Sequence, residues 1–186
     1  MRISFNKHVL AGLVAVAGAG LSCGAQAQAY VLADAGWSQL DVDCSGASQC
    51  DKTSFGHKVL GGYTFGSGLS VELGFISFGH ADARTPTDHA VVKTFGYTLA
   101  GAWTTPLASD WDLTLRLGLA SLKTKMTDWV VGSQHDTATK PYFGAQVGYR
   151  VTPQLKLVGG VDFSQAELQG EKADARNVAL GAQFNF

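Results

Sequence analysis

From Trp111 to Leu122 the chain reads WDLTLRLGLASL, in which Trp111, Leu113, Leu115, Leu117 and Leu119 alternate with Asp112, Thr114, Arg116, Gly118 and Ala120. A helix would scatter those leucines around its circumference and set Arg116 beside Asp112, whereas a strand gathers every leucine on one face. The same period of two recurs along the chain. Phe95, Tyr97, Leu99, Gly101 and Trp103 oppose Thr94, Gly96, Thr98, Ala100 and Ala102; Leu155, Leu157, Gly159, Val161 and Phe163 oppose Lys156, Val158, Gly160, Asp162 and Ser164. Val178, Leu180, Ala182, Phe184 and Phe186 likewise share one face, and noisier alternation runs through Tyr30 to Leu40, Ser54 to Phe65, Leu69 to Phe78 and Lys140 to Val151.

Eight strands of about ten to twelve residues match the length a tilted strand needs to cross a bilayer. The links alternate in length. Those around Ser67, Thr104 to Asp110 and Pro153 are mostly short, while Asp41 to Thr53, His80 to Ala90, Lys123 to Thr139 and Glu167 to Ala175 are longer and polar. Tight turns at one end and longer loops at the other are the pattern of an outer-membrane barrel. A soluble β-sandwich also alternates. Here, however, the face opposite the apolar one is built from Gly, Ala, Ser and Thr with occasional charges, so it makes no dense aliphatic core. Aromatics also gather near strand ends, at Tyr30, Trp37, Tyr63, Phe65, Trp103, Trp111, Tyr149 and Phe186, as an interfacial girdle requires. The predicted fold is all-β: an eight-stranded antiparallel up-and-down transmembrane β-barrel.

Composition agrees. Only 16% of residues are charged, Gly numbers 23, and 14 Lys+Arg against 15 Asp+Glu leave a formal net charge of −1. That balance lacks the basic footprint of a nucleic-acid binder, and no run of Lys or Arg marks a loop for heparin. Beyond the N-terminus no stretch reaches the roughly 18 apolar residues of a membrane helix.

The N-terminus reads as an export signal. Arg2 and Lys7 precede an apolar run from Val9 to Leu21, and Ala25-Gln26-Ala27 and Ala27-Gln28-Ala29 each offer an A-x-A cleavage site. The second is preferred because alternation begins at Tyr30, which divides the chain into a signal peptide, 1–29, and a barrel domain, 30–186. Acylation at Cys23 is disfavoured, since Leu21 sits one place too near it for a good lipobox. Cys44 and Cys50 then remain, separated by five residues in a turn-rich segment of an exported protein, and are expected to form a disulfide closing a loop. A metal site there would need two more ligands, with only His57 nearby in sequence.

Ala35-Gly-Trp-Ser-Gln39, Gly61-Gly-Tyr63, Val71-Glu-Leu-Gly-Phe75, Thr114-Leu-Arg-Leu-Gly118 and the terminal Phe186 resemble the OmpA-type transmembrane domain and its small eight-stranded relatives of the OmpX/Ail type. The resemblance spans the whole mature chain through short, barrel-generic motifs. OmpA proper has a periplasmic peptidoglycan-binding domain after its barrel. Nothing follows Phe186 in this sequence, so the resemblance is not expected to carry that tethering role.

On the strand parity Asp34, Lys58, Glu72, Arg116, Lys156 and Asp162 point into the barrel. Eight strands enclose a space that side chains fill, and a lone buried charge is costly, so these residues are expected to pair, Glu72 with Arg116 above all. The resemblance implies the same, since positions matching Glu72 and Arg116 belong to an interior ionic network in OmpA-type domains. Asp34 departs from a family pattern that often has a basic residue there.

No catalytic residue, metal site or cofactor is predicted. The His-x-Ser motif of the outer-membrane lipid A deacylase has its counterpart in Asp162-Phe163-Ser164, which lacks the histidine and turns its serine toward the lumen. His57, His80, His89 and His135 have no serine or cysteine at persuasive spacing. His80-x-Asp82, Asp88-His89 and His135-Asp136 are ordinary for polar loops. The expectation is a non-enzymatic, monomeric protein of the bacterial outer membrane, in contact with lipid and lipopolysaccharide. Phe186 would be its signal to the assembly machinery. Its loops would serve envelope integrity or contact a host or surface ligand, as the OmpX/Ail resemblance implies. The alternatives are a small passive channel and a lipid-modifying enzyme.

Overall fold

The computed structural model describes residues 28–41, 49–84, 89–128, 132–168 and 171–186. The strands are β1 (Gln28–Asp41), β2 (Gln49–Asp51), β3 (Thr53–Thr64), β4 (Leu69–Arg84), β5 (His89–Pro106), β6 (Trp111–Asp128), β7 (Gly132–Arg150), β8 (Leu155–Leu168) and β9 (Glu171–Asn185). β1 pairs with β3 and β9, and β4 with β5, so the antiparallel sheet closes on itself. Among the described residues the short β2 pairs only with β4, and it is parted from β3 by Lys52, so β2 and β3 act as one stave and the barrel has eight. Closure removes the exposed edges that an open sheet would present. At the turn end it is completed by bonds from the Phe186 amide to the Ala29 carbonyl at 3.0 Å and from the Asn185 amide to the Gln154 carbonyl at 2.8 Å.

Period two becomes two surfaces. Trp37, Leu73, Leu99, Leu117, Leu119 and Leu180 are among the large apolar side chains on the outside, where a soluble protein would have buried them. Phe65, Trp103, Trp111, Tyr149 and Phe186 ring the turn end; Trp37, Phe55, Tyr97, Phe143 and Phe163 lie toward the other. A wall of exposed leucines between two aromatic rings suits lipid contact. Tyr30 corrects the expectation: it is buried inside the barrel and is no part of the girdle.

The strands are longer than the alternation suggests. β5 and β6 have 18 residues each and β7 has 19, and most of the segments expected as long loops continue the ladders. Lys123↔Thr137 to Asp128↔Gly132 extends β6–β7, and His80↔Lys93 to Arg84↔His89 extends β4–β5. Alternation records a contrast between a lipid-facing and a lumen-facing side. Above the bilayer both faces meet water, so the contrast fades while the backbone bonds persist. One bulge breaks parity. Gly79, at φ +75°, inserts between Ser77 and His80, so Phe78 and Ala81 both face inward and His80 turns outward.

Candidate functional site: the ion-paired interior

All six charged residues assigned to the lumen are buried there, together with Asp112. Each sits at an inward position of its strand, and the register brings several close. Asp34 of β1 pairs with Lys58 of β3, and Gly144 of β7 is the cross-strand partner of both Arg116 and Asp162. A Cβ on Gly144 would crowd Asp162 Oδ1 and the Arg116 chain, so this glycine gives room for two long side chains to cross the lumen.

Two clusters result. In the first, Arg116 Nε donates to Glu72 Oε2 at 2.6 Å and the Tyr30 hydroxyl donates to Glu72 Oε1 at 2.5 Å, so both oxygens of the carboxylate are engaged. In the second, Lys58 Nζ lies 2.6 Å from Asp162 Oδ2 and 3.1 Å from Asp34 Oδ2, while the Tyr142 hydroxyl donates to Asp162 Oδ1 at 2.5 Å. Nearer the turn end, Lys156 Nζ meets Asp112 Oδ2 at 2.6 Å. Charged pairs with further hydrogen bonds are the form in which buried charge is tolerable. Among the described residues four buried acids, Asp34, Glu72, Asp112 and Asp162, face three buried bases, Lys58, Arg116 and Lys156, so Lys58 serves two carboxylates. Asp34 Oδ1, Asp112 Oδ1 and Arg116 Nη2 make no hydrogen bond to the described residues.

Apolar layers flank the charges. Leu40, Ile76, Phe78, Leu122 and Tyr142 pack across the lumen toward the outer end, and Tyr30, Leu32, Leu60 and Val158 toward the turns. Below the second layer a mouth of about 640 Å³ opens at the turn end, with Tyr30, Asp112, Lys156 and Arg150 in its lining.

Residue-type patterning missed Tyr30, Tyr142 and Asp112 as members of the network. Asp112 carried the signal, because it shares the parity of Arg116 in the clearest strand; the tyrosines carried none, because an aromatic near a strand end fits a girdle equally well. Of the remaining expected sites, Phe186 is exposed at the turn end. Cys44 falls outside the described residues, and Cys50 occupies the middle of β2 opposite Ala83. Ser164 is buried, and its hydroxyl donates to the Pro141 carbonyl at 3.0 Å.

The family model of the OmpA-like transmembrane domain matches residues 24–181. Outer membrane protein A of Escherichia coli O157:H7 is 26% identical over 186 residues, covering 93% of this chain and 53% of that protein. The chain thus spans about half the length of that relative. Among solved structures, Neisserial surface protein A aligns with a TM-score of 0.63 at 15% identity, over 85% of this chain and 97% of that one. Ail, the attachment invasion locus protein of Yersinia pestis, solved in complex with the heparin analogue sucrose octasulfate, aligns with a TM-score of 0.52 at 19% identity, over 86% and 99%.

Proposed function

The chain belongs to the OmpA-like transmembrane domain family and to the bacterial outer membrane, and on that premise we propose that it is a non-enzymatic barrel whose interior is a structural plug and whose surface-exposed end carries its role. That role is in envelope integrity or in contact with a surface ligand. The observation that carries the reading is the filled lumen. Buried ion pairs cross it between two apolar layers, so the inside binds strands together and the outer end is left to meet partners. The fold shared with Ail supports a surface role in kind, without naming a ligand. Ser164 supports the non-enzymatic reading, since its hydroxyl is engaged by a backbone carbonyl and not by a base. A cleaved signal peptide, a Cys44–Cys50 disulfide, assembly signalled by Phe186 and a monomeric state complete the proposal.

The test is a deletion strain challenged with detergent and with serum. The full gene should restore resistance, and a version with residues 42–48 and 85–88 replaced by short polar turns should assemble without restoring it. Unchanged resistance in the deletion strain, with steady single-channel currents from pure protein, would overturn the reading.

Those currents belong to a second reading, a narrow passive channel, favoured by the wide turn-end mouth that reaches Asp112 and Lys156. The excess of one acid in the lumen makes such a path cation-selective. Unaltered lipid A in mass spectra of expressing and non-expressing cells would dispose of a third, lipid-modifying reading.

A further inference from the structure

The register builds a basic row that is invisible along the chain. His80 of β4 stands opposite Lys93 of β5, Lys93 opposite Lys125 of β6, and Lys125 opposite His135 of β7, so four adjacent staves place a base at one height. Lys93, Lys125 and His80 are exposed, and Lys123, two residues from Lys125 on the same face, adds a third ammonium opposite Phe95. The Gly79 bulge takes part. With unbroken alternation His80 would point into the lumen; the extra residue turns it to the outer wall, in line with Lys93.

Like charges directly opposite each other destabilise a strand pair. Neither Lys93 nor Lys125 faces an acid in the register. Asp136 is opposite the buried Thr124 and belongs to the inner face, and Asp82 comes two positions further out than His80, opposite Val91. A lysine pair held by long, regular strands is therefore matched to an anion from outside the protein.

Its height names the anion. Lys125 Nζ lies 5.6 Å from the centroid of the Phe95 ring, and Phe95 belongs to an aromatic group in which Phe75 meets Phe95 at 6.2 Å and Tyr97 at 5.8 Å. Exposed aromatics mark the plane where headgroups begin. Ammonium groups on the barrel wall at the outer edge of that plane point sideways among lipid headgroups, whereas a site for a soluble polyanion would look outward from the loop tips.

We propose that the Lys93–Lys123–Lys125 patch on the wall of β5 and β6 holds the phosphates of an outer-leaflet glycolipid. This needs only the membrane-embedded barrel, and is independent of what the loops bind. The test uses the full mature protein, refolded in detergent and mixed with bisphosphorylated lipid A or its dephosphorylated form, with retained lipid read by native mass spectrometry. Wild-type protein should retain the phosphorylated form preferentially. Lys93→Gln/Lys125→Gln should lose retention on the order of tenfold, and Lys93→Arg/Lys125→Arg should keep it. A difference in gel mobility between boiled and unboiled samples in SDS, which a closed barrel shows, confirms that each variant is folded, and Lys123→Gln supplies a milder variant with a smaller loss. Equal retention by wild type and the glutamine variant would overturn the proposal. So would displacement by millimolar inorganic phosphate, which would make the site one for free phosphate. Lysine-dependent binding of a heparin oligosaccharide without preference for phosphorylated lipid would assign the patch to a soluble polyanion instead.

Discussion

Arg116 on β6 reaches past β5 to Glu72 on β4, Nε to Oε2 at 2.6 Å, and so ties two strands that share no backbone hydrogen bond. Both side chains are buried, and the second carboxylate oxygen takes the Tyr30 hydroxyl from β1. One carboxylate thus joins three staves through the lumen. Removing a single partner strands a buried charge, which costs about 3–5 kcal/mol. Glu72→Gln and Arg116→Met are each expected to lower stability by that order in urea unfolding of the refolded barrel, followed by gel mobility. Combining them should cost clearly less than the sum of the two. Additive losses would show that the pair is not coupled.

Gly61 and Gly62 make a controlled comparison one residue apart. A Cβ on Gly62 would run into the Tyr30 ring, whereas one on Gly61 would have only the Tyr30 carbonyl near it, at 4.0 Å. Gly62→Ala must push Tyr30 away from Glu72, and overpacking of this kind costs roughly 1–3 kcal/mol. Gly61→Ala should unfold at the same urea concentration as wild type or slightly above it. Equal behaviour of the two variants would mean that the Tyr30 contact adds nothing to stability.

The eight-stave barrel was legible because its wall divides two solvents, and the leucines of β6 from Leu113 to Leu119 write that division in period two. Inward charges followed from the same parity. Strand ends did not, because the extensions of β5, β6 and β7 have water on both sides and carry no contrast to read. The inward turn of Tyr30 was also hidden, since its destination depends on a carboxylate 42 positions away. The Gly79 bulge inverted the parity of His80, and the lysine row needed a register that no one-dimensional reading supplies. What crosses the barrel or runs around it is a property of pairing, and pairing is set by closure.

β1 begins at Gln28, earlier than the alternation indicated. Gln28 pairs with Thr64, and the Ala29 carbonyl receives the Phe186 amide at the seam that closes the barrel. Processing after Ala29 would delete both residues and leave Phe186 without that acceptor. Processing after Ala27 keeps them. Intact mass and N-terminal sequencing of protein from outer membranes should therefore show Gln28 at the N-terminus, and a chain starting at Tyr30 would refute the argument.

If Cys23 leaves with a cleaved signal peptide, Cys44 and Cys50 are the two cysteines that remain. In an exported protein they should resist alkylation until reduced and denatured. Closing so short a loop is worth about 2 kcal/mol on the chain-entropy estimate, so reduction should lower the unfolding midpoint modestly without opening the barrel. Quantitative alkylation of native, unreduced protein would show two free thiols.

Asp34 is the acid in excess. Lys58 lies closer to Asp162 than to Asp34, 2.6 Å against 3.1 Å, and Asp162 also holds the Tyr142 hydroxyl, whereas Asp34 Oδ1 makes no hydrogen bond to the described residues. Lys58 is therefore committed to Asp162, and Asp34 is the poorly compensated member. Asp34→Asn equalises acids and bases and leaves the Lys58–Asp162 pair intact, so its stability should stay within about 1 kcal/mol of wild type or rise. Lys58→Met leaves two buried carboxylates without a cation and should cost about 3–5 kcal/mol. Adding Asp34→Asn to Lys58→Met should recover part of that loss, because it removes one of the two stranded charges. If Asp34→Asn proved as damaging as Lys58→Met, Asp34 would be a full partner of Lys58, and the three residues would have to be treated as one inseparable triad.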